Sequence, residues 1–269
     1  MNLLQHGIQS LLDILKSKEL YRTKDDVGLI VVSQRGSNRF MSFGSSFEQS
    51  SLKMNKPHYL VHEYTQAMLL VLCFVDVRRI TLLGLGGGGL VHCITHYFPD
   101  MKLNVVELRQ AVIDVAYTWF DLPRMSQLKV HRCDAWEYLI ESEADNTDII
   151  FSDLYDAKGM SDWQSQIDFI DQCYKALSEN GWLVINYHVM PAKDSLLMSH
   201  ISELFPSIFQ CDLIQGNHLL YCGKSSRPIS EAYLAKQAGS LAKYVKMPLF
   251  NYYRQLVRLK PEYTERDRS

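Results

Sequence analysis

Residues 80–94, ITLLGLGGGGLVHCI, constrain the fold of this chain more than any other stretch. An apolar run enters Gly84, then Gly86, Gly87, Gly88 and Gly89, and a helical stretch to about Tyr97 follows at once. A strand that turns through glycines into a helix is the first βα unit of a doubly wound sheet, where ligands sit at the carboxyl ends of the strands. Residues without a Cβ let ligand atoms touch the backbone and tolerate φ > 0. The helix start adds unpaired N–H groups. Gly84, Gly86, Gly87 and Gly88 are therefore the expected nucleoside-binding glycines. Gly84, Gly86 and Gly89 fit a GxGxxG frame only in part, and no GxxxxGK[ST] is present, which argues against a nucleoside triphosphatase.

Further along, the pattern alternates. LNVVE (103–107), LKVHR (128–132), TDIIFSD (147–153) and WLVINYH (182–188) read as strands, with helices predicted to Trp119, over Ala135–Glu141, over Gln164–Leu177 and over Asp194–Phe205. FQCDLI and HLLYCG, separated by Gln215-Gly216-Asn217, predict a final antiparallel pair. The expected fold class is α/β, a doubly wound, mostly parallel Rossmann-like sheet. Upstream, VGLIVVSQRGSNRFMSF (27–43) predicts a hairpin turning at residues 34–37, and 59–75 a helix. Residues 1–20 read as an amphipathic helix with Leu4, Ile8, Leu11, Leu12 and Leu15 on one face. We expect a small N-terminal region (1–60), a nucleoside-binding domain (61–224) and a helical basic tail (225–269).

Four acidic residues, at the ends of three strands, sit where such a sheet holds ligands. Glu107 ends the second strand of the domain, 21 residues after Gly86, where a carboxylate has two oxygens for both ribose hydroxyls. Asp134, with Ala135, ends the third; it suits an adenine amino group, with a helix N-cap as the lesser alternative. Asp153 and Asp156 follow the fourth, and a carboxylate pair there can hold an ammonium and take a proton. An alkyl ammonium titrates near ~10 and a free aspartate near ~4, so proton transfer has to accompany attack, or burial has to raise the aspartate.

Charge and composition narrow the partners. Residues 225–269 carry nine Lys/Arg against four Asp/Glu, which leaves a net −7 on residues 1–224 of a chain whose total is −2. An acidic body suits a small cationic substrate rather than nucleic acid. The six cysteines show no metal or disulfide spacing, the histidines are dispersed, and Met68–Val75, the longest apolar run, is too short for a bilayer. A cytoplasmic protein without metal or membrane partner is expected.

GLGGGGL, VVEL, RCDAWEYL, DLYDAKG and LSENGWLVINYH, in this order, resemble the spermidine-synthase-like polyamine aminopropyltransferases, and the GLGGGG turn is similar to that of a divergent bacterial branch. The resemblance covers about residues 27–223 and implies the S-adenosylmethionine-dependent methyltransferase type of fold. It also implies transfer of the aminopropyl group of decarboxylated S-adenosylmethionine to a polyamine such as putrescine, in a homodimer. On it, Asp153 is the general base, Glu107 holds ribose, Asp134 and Ala135 hold adenine, Gln49 lies near the sulfonium, and Asp156 holds the amine. The family's Asp in the glycine turn is Gly87 here. Its Tyr and Glu before the first strand are Thr65 and Ala67, with Tyr64 and Glu63 as out-of-register candidates for amine binding. Methyl transfer from intact S-adenosylmethionine, a non-catalytic nucleoside or polyamine binder, and pyridine-nucleotide chemistry stay open as alternatives.

Overall fold

A computed structural model describes residues 17–44, 50–156 and 159–259. The amphipathic helix expected before residue 17, and Gln49, lie outside the described residues. Four strands, β1 (Lys18–Lys24), β2 (Leu29–Arg35), β3 (Asn38–Ser42) and β4 (Ser50–Lys53), form an antiparallel sheet in that order. The expected hairpin is β2–β3, turning at Gly36 with φ +58°. The flanking strands escaped prediction because KELYRTK is largely charged and SSLK is short and polar. Ile30, Val32, Met41, Phe43 and Leu52 of this sheet pack against Val112, Val115 and Phe120 of the next domain.

The chain then forms α1 (Glu63–Met68), which continues as a 3-10 turn over Leu69–Cys73, so the helix expected over 59–75 is shorter and changes type. Next come β5 (Arg79–Leu83), α2 (Gly89–Tyr97), β6 (Lys102–Glu107), α3 (Gln110–Trp119), β7 (Leu128–Arg132), α4 (Ala135–Glu141) and β8 (Thr147–Ser152). Two-residue strands β9 (Tyr155–Asp156) and β10 (Gly159–Met160) follow, then a 3-10 turn (Asp162–Ser165), α5 (Ile167–Ala176), β11 (Leu177–Tyr187), α6 (Leu196–Leu204), β12 (Ser207–Asp212) and β13 (His218–Gly223).

With a last strand from the tail, β14 (Leu256–Leu259), the main sheet has the order β14-β12-β13-β11-β8-β5-β6-β7. Strands β5, β6, β7, β8 and β11 are parallel, and β13 and β12 run antiparallel as expected from their tight turn. The order reverses between β5 and β8, which is where a doubly wound sheet opens a crevice at its carboxyl edge. Both faces are covered, so inner strands alternate between two cores rather than between core and water. Ile80, Leu82, Ile149, Phe151, Trp182 and Val184 face one core; Leu83, Ile150, Leu183 and Ile185 face the other.

The tail only partly matches its helical expectation. Helix α7 (Glu231–Val245), capped by Ser230, buries Leu234, Ala238 and Val245, and α8 (Leu249–Tyr253) joins the same core as α1. The chain then enters β14 (Leu256–Leu259), which pairs antiparallel with β12 and extends the main sheet. The pattern LVRL inside a basic stretch was too short to read as a strand. Among the described residues no helix is long and apolar enough to cross a membrane, and all six cysteines are free, five of them buried.

Candidate active site

The glycine turn leaves β5 in a backbone shape that side chains oppose. Gly84 has φ +99°, and a Cβ there would stand 2.4 Å from the Asp153 carbonyl oxygen. Only glycine lets β5 and β8 approach this closely at the crevice. Gly86 and Gly88 also take positive φ, +53° and +77°, and Gly88 caps α2. Several amides of the turn are already engaged: Gly84 N–H donates to Val106 O, Gly88 N–H to Leu85 O and Gly87 N–H to Ser50 Oγ at 3.0 Å.

Glu107, at the end of β6, accepts from Leu85 N–H at 3.2 Å through Oε2 and from Arg109 N–H at 2.9 Å through Oε1. Its position is thus fixed by backbone on both sides. Burial raises its pKa, and the two N–H donors oppose that shift. Arg109, buried at 6% exposure, grips Asp25 through Nε and Nη2 and also donates to Gly28 O, tying the N-terminal sheet to this strand end. Beyond Glu107 lies a cleft of about 540 Å³ lined by Leu108, Cys133, Asp134, Trp136 and Trp163 among others. Asp134 is the N-cap of α4, its Oδ1 accepting from Trp136 N–H at 2.7 Å, so the capping role anticipated for its type is real. Ala135 is the buried first residue of that helix. The Trp136 and Trp163 rings stack at 5.2 Å and 7° beside the cleft, Trp163 coming from the segment after β8.

Asp153 follows β8 on the other side of the turn, its N–H donating to Leu83 O. Its carboxylate accepts from Asn186 Nδ2 at 2.8 Å and from the Tyr64 hydroxyl. Burial is the largest influence and raises its pKa; the two hydrogen bonds pull the other way. Tyr64 in turn is pushed well above the ordinary phenol range by burial and by the Asp153 and Tyr155 groups, so it stays a donor. Asp156 lies in β9 with its side chain outside the described atoms. The charge of Glu63, at the start of α1, acts on the Tyr252 phenol in the tail.

The match to known proteins fits this geometry. The spermine/spermidine synthase domain model matches residues 61–213, a span that begins at the entry to α1 and takes in the glycine turn, Glu107, Asp134 and Asp153. The chain belongs to the spermine/spermidine synthase domain family. It is 34% identical over 159 residues to a polyamine aminopropyltransferase of Neisseria meningitidis, covering 58% of this chain and 60% of that protein. It is also 29% identical over 226 residues to the eEF1A lysine and N-terminal methyltransferase of Xenopus laevis, covering 75% of this chain and 32% of that one. The fold is similar to that of a probable spermidine synthase from Corynebacterium glutamicum, with a TM-score of 0.69 at 17% identity over 84% of this chain and 93% of that one.

Measured against the spermidine synthase pattern, the turn of this family member is closed where an acid is expected. A Cβ at Gly87 would lie 2.9 Å from Phe120 Cδ1 and 3.0 Å from Ser50 Oγ, so a larger side chain has no room without displacing them. Tyr64, out of register by sequence, does reach the acid. Two further residues of the site were not foreseen. Asn186 is 1% exposed and was hidden in the apolar run WLVINYH, a lone polar residue that in principle marked it. Gln164 is fully buried; its Oε1 accepts from Ser152 Oγ at 2.7 Å and Leu154 N–H at 3.1 Å, fixing the loop that carries Asp153. Within the polar string DWQSQ nothing set it apart.

Proposed function

We propose that this family member transfers an alkyl group from an S-adenosyl sulfonium donor to a small amine, the leading case being aminopropyl transfer from decarboxylated S-adenosylmethionine to a polyamine such as putrescine. One observation carries the reading. The two-residue stretch Gly84–Leu85 adjoins both acidic residues, Asp153 through its backbone, since a Cβ on Gly84 would strike the Asp153 carbonyl, and Glu107 through its carboxylate, which accepts from Leu85 N–H. A nucleoside held at the ribose by Glu107 therefore extends along the bare turn toward Asp153.

The residues fit that donor. Glu107 supplies two acceptor oxygens for a ribose diol, and the cleft beside Asp134, Ala135 and Trp136 takes the base. Gly84, Gly86, Gly87 and Gly88 provide the close floor, with Gln49 assigned near the sulfonium by family resemblance. The donor's positive sulfur is a good leaving group, so the work left to the chain is placement and deprotonation. Asp153, raised by burial yet held by donors, is suited to accept the amine proton as attack proceeds. Raising the carboxylate narrows a gap that, for free groups, costs about 8 kcal/mol. Tyr64 holds the carboxylate and borders the amine space, Asp156 is assigned the amine's far end, and Glu63 keeps only a peripheral place. The division into residues 1–60, 61–224 and 225–269, a cytoplasmic setting and a homodimer belong to the same reading.

Gly87 favours a second reading, methyl transfer from intact S-adenosylmethionine. Without an acid in the turn, the donor's own carboxylate meets no repulsion there. Calorimetry with S-adenosylmethionine, its decarboxylated form, methylthioadenosine and NAD separates the cases, alongside an assay of putrescine alkylation. Tightest binding of the decarboxylated donor with product formation supports aminopropyl transfer. Preference for the carboxylated donor moves the assignment to methyl transfer, and binding of NAD alone ends both.

A further inference from the structure

We infer that Asn186 is a positioning residue for Asp153, with Asn217 setting the orientation of its amide. The inference rests on the proposed role of Asp153, and its observations are geometric. Asn186 stands at the carboxyl end of β11, 1% exposed, and places Nδ2 at 2.8 Å from Asp153 Oδ1. An amide has a donor end and an acceptor end of nearly the same shape, so burial alone does not decide which faces the carboxylate. Asn217 decides it. From the β12–β13 turn, its Nδ2 donates to Asn186 Oδ1 at 3.0 Å, which turns the Asn186 amine side toward Asp153.

The main chain of Asn186 is pinned as well. Its carbonyl accepts from the Tyr155 hydroxyl at 2.8 Å and from Gln164 Nε2 at 3.2 Å. Gln164 in turn grips the chain leading into and out of Asp153 through Ser152 and Leu154. Asn186 thus holds one carboxylate oxygen from β11 while Gln164 fixes the backbone that carries it. A buried carboxylate without donors is neutral and cannot take a proton. Asn186 and Tyr64, by donating to it, oppose the rise that burial imposes and favour its charged form. The other titratable neighbours are Tyr64 on α1, Tyr155 on β9, Tyr187 on β11 and His188, whose ring tilts on Tyr155 at 4.8 Å. Asp156 adjoins Tyr155 in sequence.

The test reads the Asp153 carboxyl directly. Full-length protein labelled with carbon-13 at aspartate carboxyls is titrated by NMR, with Asp153→Asn used to assign the resonance. In Asn186→Leu the midpoint should rise by about one pH unit, the scale of one charge-assisted hydrogen bond. In Asn217→Ala it should rise by less, while methylthioadenosine affinity stays within twofold. The acid limb of kcat against pH should move with the midpoint, so that activity lost near neutrality returns at higher pH; a merely structural role would lower kcat at every pH without moving the limb. Should Asn186→Leu fail to fold, Asn217→Ala decides alone. An unmoved midpoint overturns the inference. A wild-type protein that alkylates no amine overturns the proposed function instead, and the titration remains readable.

Discussion

Glu107 and Asp153 flank the same two residues of the glycine turn, yet the protein holds them by opposite means. Glu107 is fixed by backbone N–H groups of Leu85 and Arg109, one in the turn and one two residues further along the chain. Asp153 is fixed by side chains, Asn186 from β11 and Tyr64 from α1, far apart in sequence. Both carboxyls are pushed up by burial and pulled down by these donors. A backbone-held acid is set by the turn itself and tolerates exchange of most neighbouring side chains. A side-chain-held acid can be tuned, and it depends on every residue of its network. The difference suits the roles proposed for them, binding for Glu107 and proton transfer for Asp153.

The sharpest way to break the contrast is Asp153→Asn. Turnover is expected to fall about 10³-fold or more, measured by product formation, while methylthioadenosine affinity by calorimetry stays within a few-fold. A carboxylate raised on folding contributes stability below its unfolded pKa and loses it as pH rises through the folded value. At neutral pH Asp153 therefore destabilises the fold, and Asp153→Asn should not lower Tm. Wild-type activity should show an acid limb above the ordinary aspartate range, near 4, because burial lifts the group.

Gly84→Ala attacks both acids through the turn they share. The added methyl meets the Asp153 carbonyl at 2.4 Å in a backbone shape that alanine resists, an expected loss of about 2–4 kcal/mol in denaturant unfolding. Glu107→Ala tests the backbone-held side alone. Nucleoside binding should weaken by about 1.5–3 kcal/mol, with kcat at saturating donor far less affected than in Asp153→Asn. Asp25→Asn is smaller again, because it reaches Glu107 only through Arg109. Loss of the partner leaves a buried guanidinium underpaired, and since Asp25 itself is about a quarter exposed, about 1–3 kcal/mol of stability is at stake. Arg109 lowers the Asp25 pKa, so this contribution is present above the unfolded value and is lost as pH falls through the folded one. Urea midpoints of wild type and variant should converge at acid pH.

The same contrast explains what could be read from the residues alone. The glycine turn, Glu107 at the close of LNVVE, the cap at Asp134 and Asp153 at the close of TDIIFSD are local features, each announced by an apolar run that stops at a carboxyl edge. Period-2 cores on both faces of β5, β8 and β11 made the parallel sheet equally legible. The network around Asp153 was not, because the hydrogen bonds that tie Asn186, Asn217, Gln164, Tyr64 and Asp153 together join positions up to 89 residues apart, Tyr64 to Asp153, and no spacing rule relates them. Strands β1, β4 and β14 stayed hidden for a different reason. Their polar or charged residues hold edge positions of the two sheets or a partly buried surface, where alternation of apolar residues is not required.

A crystal of the protein soaked with methylthioadenosine would show whether a nucleoside bridges Glu107 and Asp153. Both ribose hydroxyls are expected on the Glu107 carboxylate, in place of or beside its Leu85 contact, with the base in the cleft by Asp134 and the sulfur lying over Gly84 toward Asp153. Density for the nucleoside away from Glu107, or a sulfur directed away from Asp153, would contradict that placement.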